Sequence, residues 1–145
     1  MVQLVRLTDG LPEGFDALMA LATTEGHGNM ARLADEVATG STAFIALLAA
    51  MNGGDLVGIG GMTLEPEPAP EPAIRMRRLY VAPSARREGV ARTLVSALLQ
   101  EAWDQVDLVT VHAGSKEAGR FWEAQGFSVV EGLPWSHQAR RSGQA

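Results

Sequence analysis

The sequence predicts a single α/β (α+β) domain, a mixed central sheet with helices on both faces. The expected element order is β-α-α-β-β-β-α-β-α-β-β. Three observations carry this. Stretches of alternating apolar residues take turns with stretches whose apolar residues recur at helical spacing. No internal repeat or long linker divides the chain of 145 residues, a length that suits one core. Apolar residues make up 46% and charged residues 20%, the balance of a folded globular chain.

Each element has its own signal. Val2–Leu7 alternates as a first strand. Pro12 suits a helix start, and Phe15, Leu18, Met19 and Ala22 recur at helical spacing. A second helix is expected over Met30–Ala38, with Asn29 as its cap. Thr42–Met51 is apolar and β-compatible, though its Ala content leaves it ambiguous; Asn52-Gly53-Gly54-Asp55 reads as a hairpin turn, and Leu56–Leu64 as the returning strand. Glu65–Ala73 is rich in Glu and Pro and reads as an exposed, stiff connection. Ile74–Val81 is a strand whose alternation slips. Ile74 and Met76 hold one phase, Leu79 and Val81 the other. A β-bulge at Arg77-Arg78 would keep both pairs in the core; otherwise the two Arg simply reach out from a strand edge.

Gly89–Trp103 is the clearest helix, with Val90, Leu94, Leu98 and Ala102 in one stripe. Leu108–Ala113 is a short apolar strand. Ser115 suits the cap of a helix running to Gln125, and Gly126 suits its C′ position. Phe127–Val130 and Trp135–Ala139 close the sheet across a turn at Gly132-Leu133-Pro134. The cluster Gly58-Ile59-Gly60-Gly61 has no helix after it, so it reads as small residues in a strand rather than a dinucleotide loop.

Charge and composition narrow the function. The formal net charge is −5, which argues against nucleic-acid binding and suits a cationic acceptor. There is no Cys, so disulfides, thiolate metal sites and a Cys nucleophile are excluded. The three His lack close metal-ligand spacing, and no metal is expected. The start of the chain carries no long apolar run, so neither a signal peptide nor a membrane partner is expected, and a cytoplasmic location follows. A homodimer is left open.

The most informative segment is Leu79-Tyr80-Val81-Ala82-Pro83-Ser84-Ala85-Arg86-Arg87-Glu88-Gly89-Val90-Ala91. It reads as strand, turn and Gly-containing helix entry, which turns backbone N–H groups toward an anion. It lacks the Gly-Lys-Ser/Thr of a nucleotide-triphosphate loop. Its Arg86-x-x-Gly89-x-Ala91 spacing resembles the pyrophosphate loop of the GNAT N-acetyltransferases. A second segment, Ala118-Gly119-Arg120-Phe121-Trp122-Glu123-Ala124-Gln125-Gly126-Phe127, resembles that family's Ala-x-x-Phe-Tyr-x-x-x-Gly-Phe helix. The resemblance spans Ile74–Val130 and is compatible in length and order before it.

The resemblance implies a GNAT fold with a cofactor core over about residues 74–131 and acceptor-side elements over about 8–40 and 131–141. It implies acetyl-CoA as cosubstrate, entering between splayed strands Ile74–Val81 and Leu108–Ala113. The cofactor contacts it implies are Leu79, Tyr80, Val81, Arg86, Arg87, Glu88, Gly89, Val90, Ala91, Arg92, Ser115 and Trp122. The Val81 N–H would bind the acetyl oxygen as a minimal oxyanion hole. Ser115 either contacts the CoA arm or caps its helix.

The catalytic positions depart from the family pattern. Trp122 stands where many members have a Tyr that protonates the leaving sulfur, and indole gives up no proton at useful pH. A thiol of pKa about 8.5 leaves well as thiolate, so turnover without that acid remains compatible with the sequence. Tyr80 or water could substitute, or Tyr80 is only a packed aromatic. Thr110 stands where some relatives have a Glu base. His112, two residues on, is the candidate base or water anchor, or a structural His. Glu25 and His27 are acceptor-side candidates, or parts of a polar loop, and His137 has no evident partner.

The leading expectation is an N-acetyltransferase moving acetyl from acetyl-CoA to a small-molecule or peptide amine by direct transfer. The alternative is a regulatory or non-catalytic acyl-CoA-binding domain of the same fold. A third, weaker expectation is an interaction domain presenting Glu65–Pro72 to a partner. The acceptor is not legible, since fold does not fix substrate.

Overall fold

The computed structural model describes residues 2–141. The strands are β1 (Gln3–Arg6), β2 (Ala46–Asn52), β3 (Asp55–Leu64), β4 (Ala73–Val81), β5 (Leu108–Val111), β6 (Ser128–Val129) and β7 (His137–Arg140). The helices are α1 (Phe15–Thr24), α2 (Asn29–Thr39), α3 (Val90–Ala102) and α4 (Lys116–Ala124), with a short 3-10 turn at Pro83–Ala85. The order along the chain is the expected one. The strands form one sheet in the order β1-β2-β3-β4-β5-β7-β6. Neighbours are antiparallel except β4 and β5. A parallel pair needs a crossover, and α3 supplies it.

Both sheet faces are covered. On one, Phe15, Leu18 and Ala22 of α1 and Met30 and Leu33 of α2 pack with Leu47, Ile59 and Tyr80. Elsewhere Val95, Leu98 and Ala102 of α3 pack with Met62, Ile74, Met76, Val109 and Trp122 of α4. Val90 and Leu94 complete the α3 stripe against Val57 and Val81. The Gly58-Ile59-Gly60-Gly61 run is strand, as expected, and Gly58 and Gly60 let α3 sit close. A Cβ on Gly58 would stand 3.1 Å from Val90 Cγ1 and 3.3 Å from Leu94 Cδ1. The β2–β3 hairpin turns through Gly53 and Gly54, with φ of 60° and 97°. Positive φ at both central residues is what a tight two-residue turn requires.

The slip in β4 is a bulge, placed one residue later than expected. Gly61 pairs with Arg77 and Ile59 with Tyr80, so Arg78 and Leu79 together oppose Gly60. Arg78 takes φ 58°. The face assignment also differs: Tyr80 and Val81 are both buried, each on its own face, while Leu79 is half-buried. Pairing of β4 with β5 stops at Arg75–Thr110, after three residue pairs. Beyond that point the two strands part.

Three further expectations are corrected. Asn29 is the first residue of α2 rather than its cap. Gly28 holds the cap position, and the Asn29 amide reaches Leu79 O instead. Glu65 does not belong to an exposed connection. Its side chain is 2% exposed, because Arg75 pairs with it at 2.8 Å and Thr110 donates to it at 2.6 Å. β5 ends at Val111, so His112 lies past the strand and is exposed. The cap at Ser115 is as read: its hydroxyl accepts from Ala118 N at 3.1 Å.

Candidate active site

The parting of β4 from β5 leaves one edge of β4 without a strand beside it. Ala82 N donates to Val57 O at 2.8 Å, which fixes the parity of the β3–β4 ladder. Tyr80 therefore directs its peptide groups to β3, and Val81 directs its own to the open edge. Two carbonyls of this stretch are already engaged by side chains. Asn29 Nδ2 donates to Leu79 O at 3.0 Å, and Arg86 Nε donates to Val81 O at 3.2 Å. The edge is thereby biased toward offering N–H donors.

The same edge runs into a cleft of about 570 Å³ lined by Leu79, Tyr80, Val81, Ala85, Arg86, Arg87, Gly89, Val90, Ala91, Arg92, Phe121 and Gln125. Its polar end is the start of α3. Gly89 holds the cap position with φ 77°, and no side chain caps the first turn. The first N–H groups of a helix lack partners within it and carry partial positive charge, so they attract an anion. Arg87, with φ 69°, bends the loop beside them. Arg87 and Arg92 are exposed at this rim, whereas Glu88 is exposed but does not line the cleft. The donors, the cationic rim and the narrow apolar stretch along β4 fit a pyrophosphate joined to an extended amide-bearing arm.

Arg86 is committed elsewhere. Its guanidinium grips Glu25 through Nη1 at 2.7 Å and Nη2 at 2.5 Å. Tyr80 Oη donates to the same carboxylate at 2.5 Å, and the guanidinium lies 5.6 Å from the Tyr80 ring centroid. Glu25, a candidate for an amine acceptor, is thus neutralised by Arg86. The hydrogen bonds from Arg86 and then Tyr80 hold the Glu25 carboxyl down at about 2. Burial, then the Glu25 carboxylate, pushes the Tyr80 phenol up to about 12. Tyr80 is protonated at neutral pH and donates its proton to Glu25 rather than into the cleft. His27 is exposed, its ring 6.1 Å from that of Tyr80 at a steep angle.

The remaining candidates are dispersed. His112 is exposed, just past the end of β5, and does not line the cleft. Thr110 is fully buried and spends its hydroxyl on Glu65. Trp122 is 7% exposed and packs edge-on between Phe121 and Phe127, each 5.1 Å away. Phe121 and Gln125, one residue before and three after it, line the cleft in its place. His137 has partners after all: Ser136 Oγ at 2.8 Å on Nδ1 and Glu123 Oε2 at 2.9 Å on Nε2. Among the described residues no group of three or more His, Cys, Asp or Glu could hold a metal ion. Sequence reading missed Asn29, Phe121, Gln125 and the buried Glu65. Only the first two had a legible signal, a polar residue at a helix start and an aromatic beside the family position.

The profile of the acetyltransferase (GNAT) family matches residues 15–127. The chain belongs to that family. Its fold is shared by solved GNAT structures of low identity. A protein of Exiguobacterium sp. 255-15 superposes with TM-score 0.85 at 24% identity, over 97% of this chain and 93% of its own. A GNAT family N-acetyltransferase (YhbS) from Escherichia coli in complex with CoA gives TM-score 0.72 at 16% identity, over 96% and 81%. A GNAT family acetyltransferase from Elizabethkingia anophelis with acetyl-CoA bound gives 0.66 at 15%, over 97% and 98%. No curated protein matches the chain. No helix among the described residues is long and apolar enough to cross a membrane.

Proposed function

We propose that this GNAT protein binds acetyl-CoA in the cleft between β4 and the start of α3 and transfers the acetyl group directly to an amine. The observation that carries the reading is the uncapped α3 N-terminus behind Gly89, continuous with the open edge of β4. Two neighbours of the same fold are described with CoA or acetyl-CoA bound, which supports the choice of ligand.

In this reading the N–H groups of residues 87–92 hold the pyrophosphate, and the amide-bearing arm adds to β4 as an extra strand. Val81 N–H faces the thioester oxygen and stabilises charge developing there. The neutral amine forms the C–N bond, the C–S bond breaks with its electron pair on sulfur, and the ammonium proton passes to water. The chain has no Cys to form a thioester of its own, which supports direct transfer. Tyr80 is tied to Glu25 and held protonated, so it serves as scaffold to the strand rather than as acid. Glu25 and Arg86 form one wall of the acceptor side.

The test is a panel of amines (peptide N-termini, lysine, polyamines, amino acids, aminated drugs) incubated with acetyl-CoA and a thiol-reactive dye. At least one amine gives enzyme-dependent thiol release. Tight CoA binding with no release by any amine favours the regulatory alternative, for which Trp122 and the buried Thr110, in place of the family's Tyr and Glu, speak.

A further inference from the structure

We propose that α2 is a clamp on the cofactor strand, in which Glu36 and Asn29 act as positioning residues that hold Arg78 and Leu79 in the bulge and so keep the slot beside β5 open. The inference rests on the reading of that slot as the CoA site.

Arg78 is the strained residue of the bulge. A side chain at φ 58° lies in the left-handed region, which is unfavourable for any residue but Gly. Within a strand, surrounding contacts must offset that cost. At Arg78 the contact is a fork: Nε and Nη2 donate to Glu36 Oε1 and Oε2 at 2.7 and 3.0 Å. Both side chains are largely out of water, at 15% and 12% exposure. Thr42 Oγ1 donates at 2.9 Å to Glu36 Oε2, the oxygen that also accepts from Arg78 Nη2, and Arg77 Nη2 stands 3.9 Å from it. A bidentate pair restricts direction as well as distance, so it selects the backbone that aims Arg78 at α2.

The next bulge residue is held by the same helix. Asn29 Nδ2 donates to Leu79 O at 3.0 Å, while its Oδ1 is buried with no partner. A buried unsatisfied oxygen is unfavourable, so the amide group is held there for the bond to Leu79. Asn29 and Glu36 are seven residues apart, two helical turns, and share one face of α2. Opposite the bulge stands Gly60, where a Cβ would come within 3.2 Å of Leu79 Cδ1. Helix and glycine together hold the shifted register, and the β4–β5 ladder ends three residues earlier, at Arg75.

The test separates a clamp from an ordinary ion pair by removing the need for the clamp. CoA is titrated calorimetrically into wild type, Glu36→Gln, Arg78→Ala, Arg78→Gly and the double variant Arg78→Gly/Glu36→Gln. Glu36→Gln and Arg78→Ala lose CoA affinity by about tenfold, because the open conformer becomes a minor population. Arg78→Gly binds as wild type does, since Gly takes positive φ freely, and Glu36→Gln adds no further loss in that background. Unchanged affinity in Glu36→Gln, or the same loss in both backgrounds, overturns the proposal. If Glu36→Gln alone unfolds, the double variant decides: recovery of fold and binding supports the clamp, and failure overturns it. A ligand-free readout keeps this apart from the functional reading. A strong intraresidue HN–Hα NOE at residue 78 reports positive φ, and it weakens in Glu36→Gln. If wild type binds no CoA, the functional reading fails while the NOE still decides the clamp; an NOE unchanged in Glu36→Gln overturns it.

Discussion

Replacing Gly89 separates the anion site from the fold. At φ 77°, a side chain costs about 1–2 kcal/mol relative to Gly. Space is not the problem for the protein itself. A Cβ would meet only the Arg92 guanidinium, at 3.3 Å to Nη2, and that group is the far end of a flexible side chain. Against a typical global stability of about 5–15 kcal/mol the variant stays folded, with Tm lower by about 5 °C. The ligand fares worse. Added bulk at the cap position would crowd an anion approaching the α3 N–H groups and would displace the Arg92 guanidinium. Losing two charge-assisted hydrogen bonds at about 1.5 kcal/mol each gives about 3 kcal/mol, or roughly a hundredfold in affinity. Gly89→Val should therefore melt cooperatively near wild type and show little CoA binding by calorimetry, with Gly89→Ala intermediate. A folded Gly89→Val with CoA affinity within about threefold of wild type would refute the reasoning.

Other outcomes follow from the same geometry. Tyr80 is the one tyrosine in the chain, so tyrosinate absorbance reads it alone. It should titrate at about 12 in wild type and move down toward 10.0 in Glu25→Gln, and no movement would remove Glu25 as a cause. Because the folded phenol is raised, its contribution to stability is full below pH 10.0 and fades as pH rises to about 12. Because the Glu25 carboxyl is depressed, its contribution is present above 4.5 and fades as pH falls to about 2; acid titrations of Tm in wild type and Glu25→Gln should converge across that window. Trp122→Phe should keep its turnover within about tenfold and lose some Tm, since Trp122 packs rather than donates; a loss of about 10³-fold with CoA binding intact would point to proton chemistry. Glu65→Ala should lower stability by about 3–5 kcal/mol in chemical denaturation, because it strands Arg75 and Thr110 at the root of the splayed strands.

How much was legible divides along one line. Features set by local chain geometry were readable. Gly89 before the Val90–Leu98 stripe marks a helix entry whatever surrounds it, and Gly53-Gly54 marks a hairpin. The phase slip between Met76 and Leu79 required an irregularity in β4, but apolar phase does not say which residue takes positive φ. Arg78 does so because Glu36 receives its guanidinium, and that partner lies 42 residues away. The same distance hid the rest. Glu25 and Arg86 meet across 61 residues, and Glu65 and Thr110 across 45. Composition made Glu65 one acid in a polar segment, yet a basic partner on the adjoining strand drew it inside. At Trp122 the family position was readable but not the side chain's direction. Phe121 fronts the cleft because the larger indole is taken into the core beside Phe127.

The proposed acetyl-CoA site is residues 87–92 together with the open edge of β4. Backbone amide NMR during an acetyl-CoA titration tests it most directly. The predicted result is saturable shifts at Leu79 and Val81 and at the amides of residues 87–92, with β1 and β6 unmoved. Saturable binding whose shifts fall outside these two segments, or no binding at all, would contradict it.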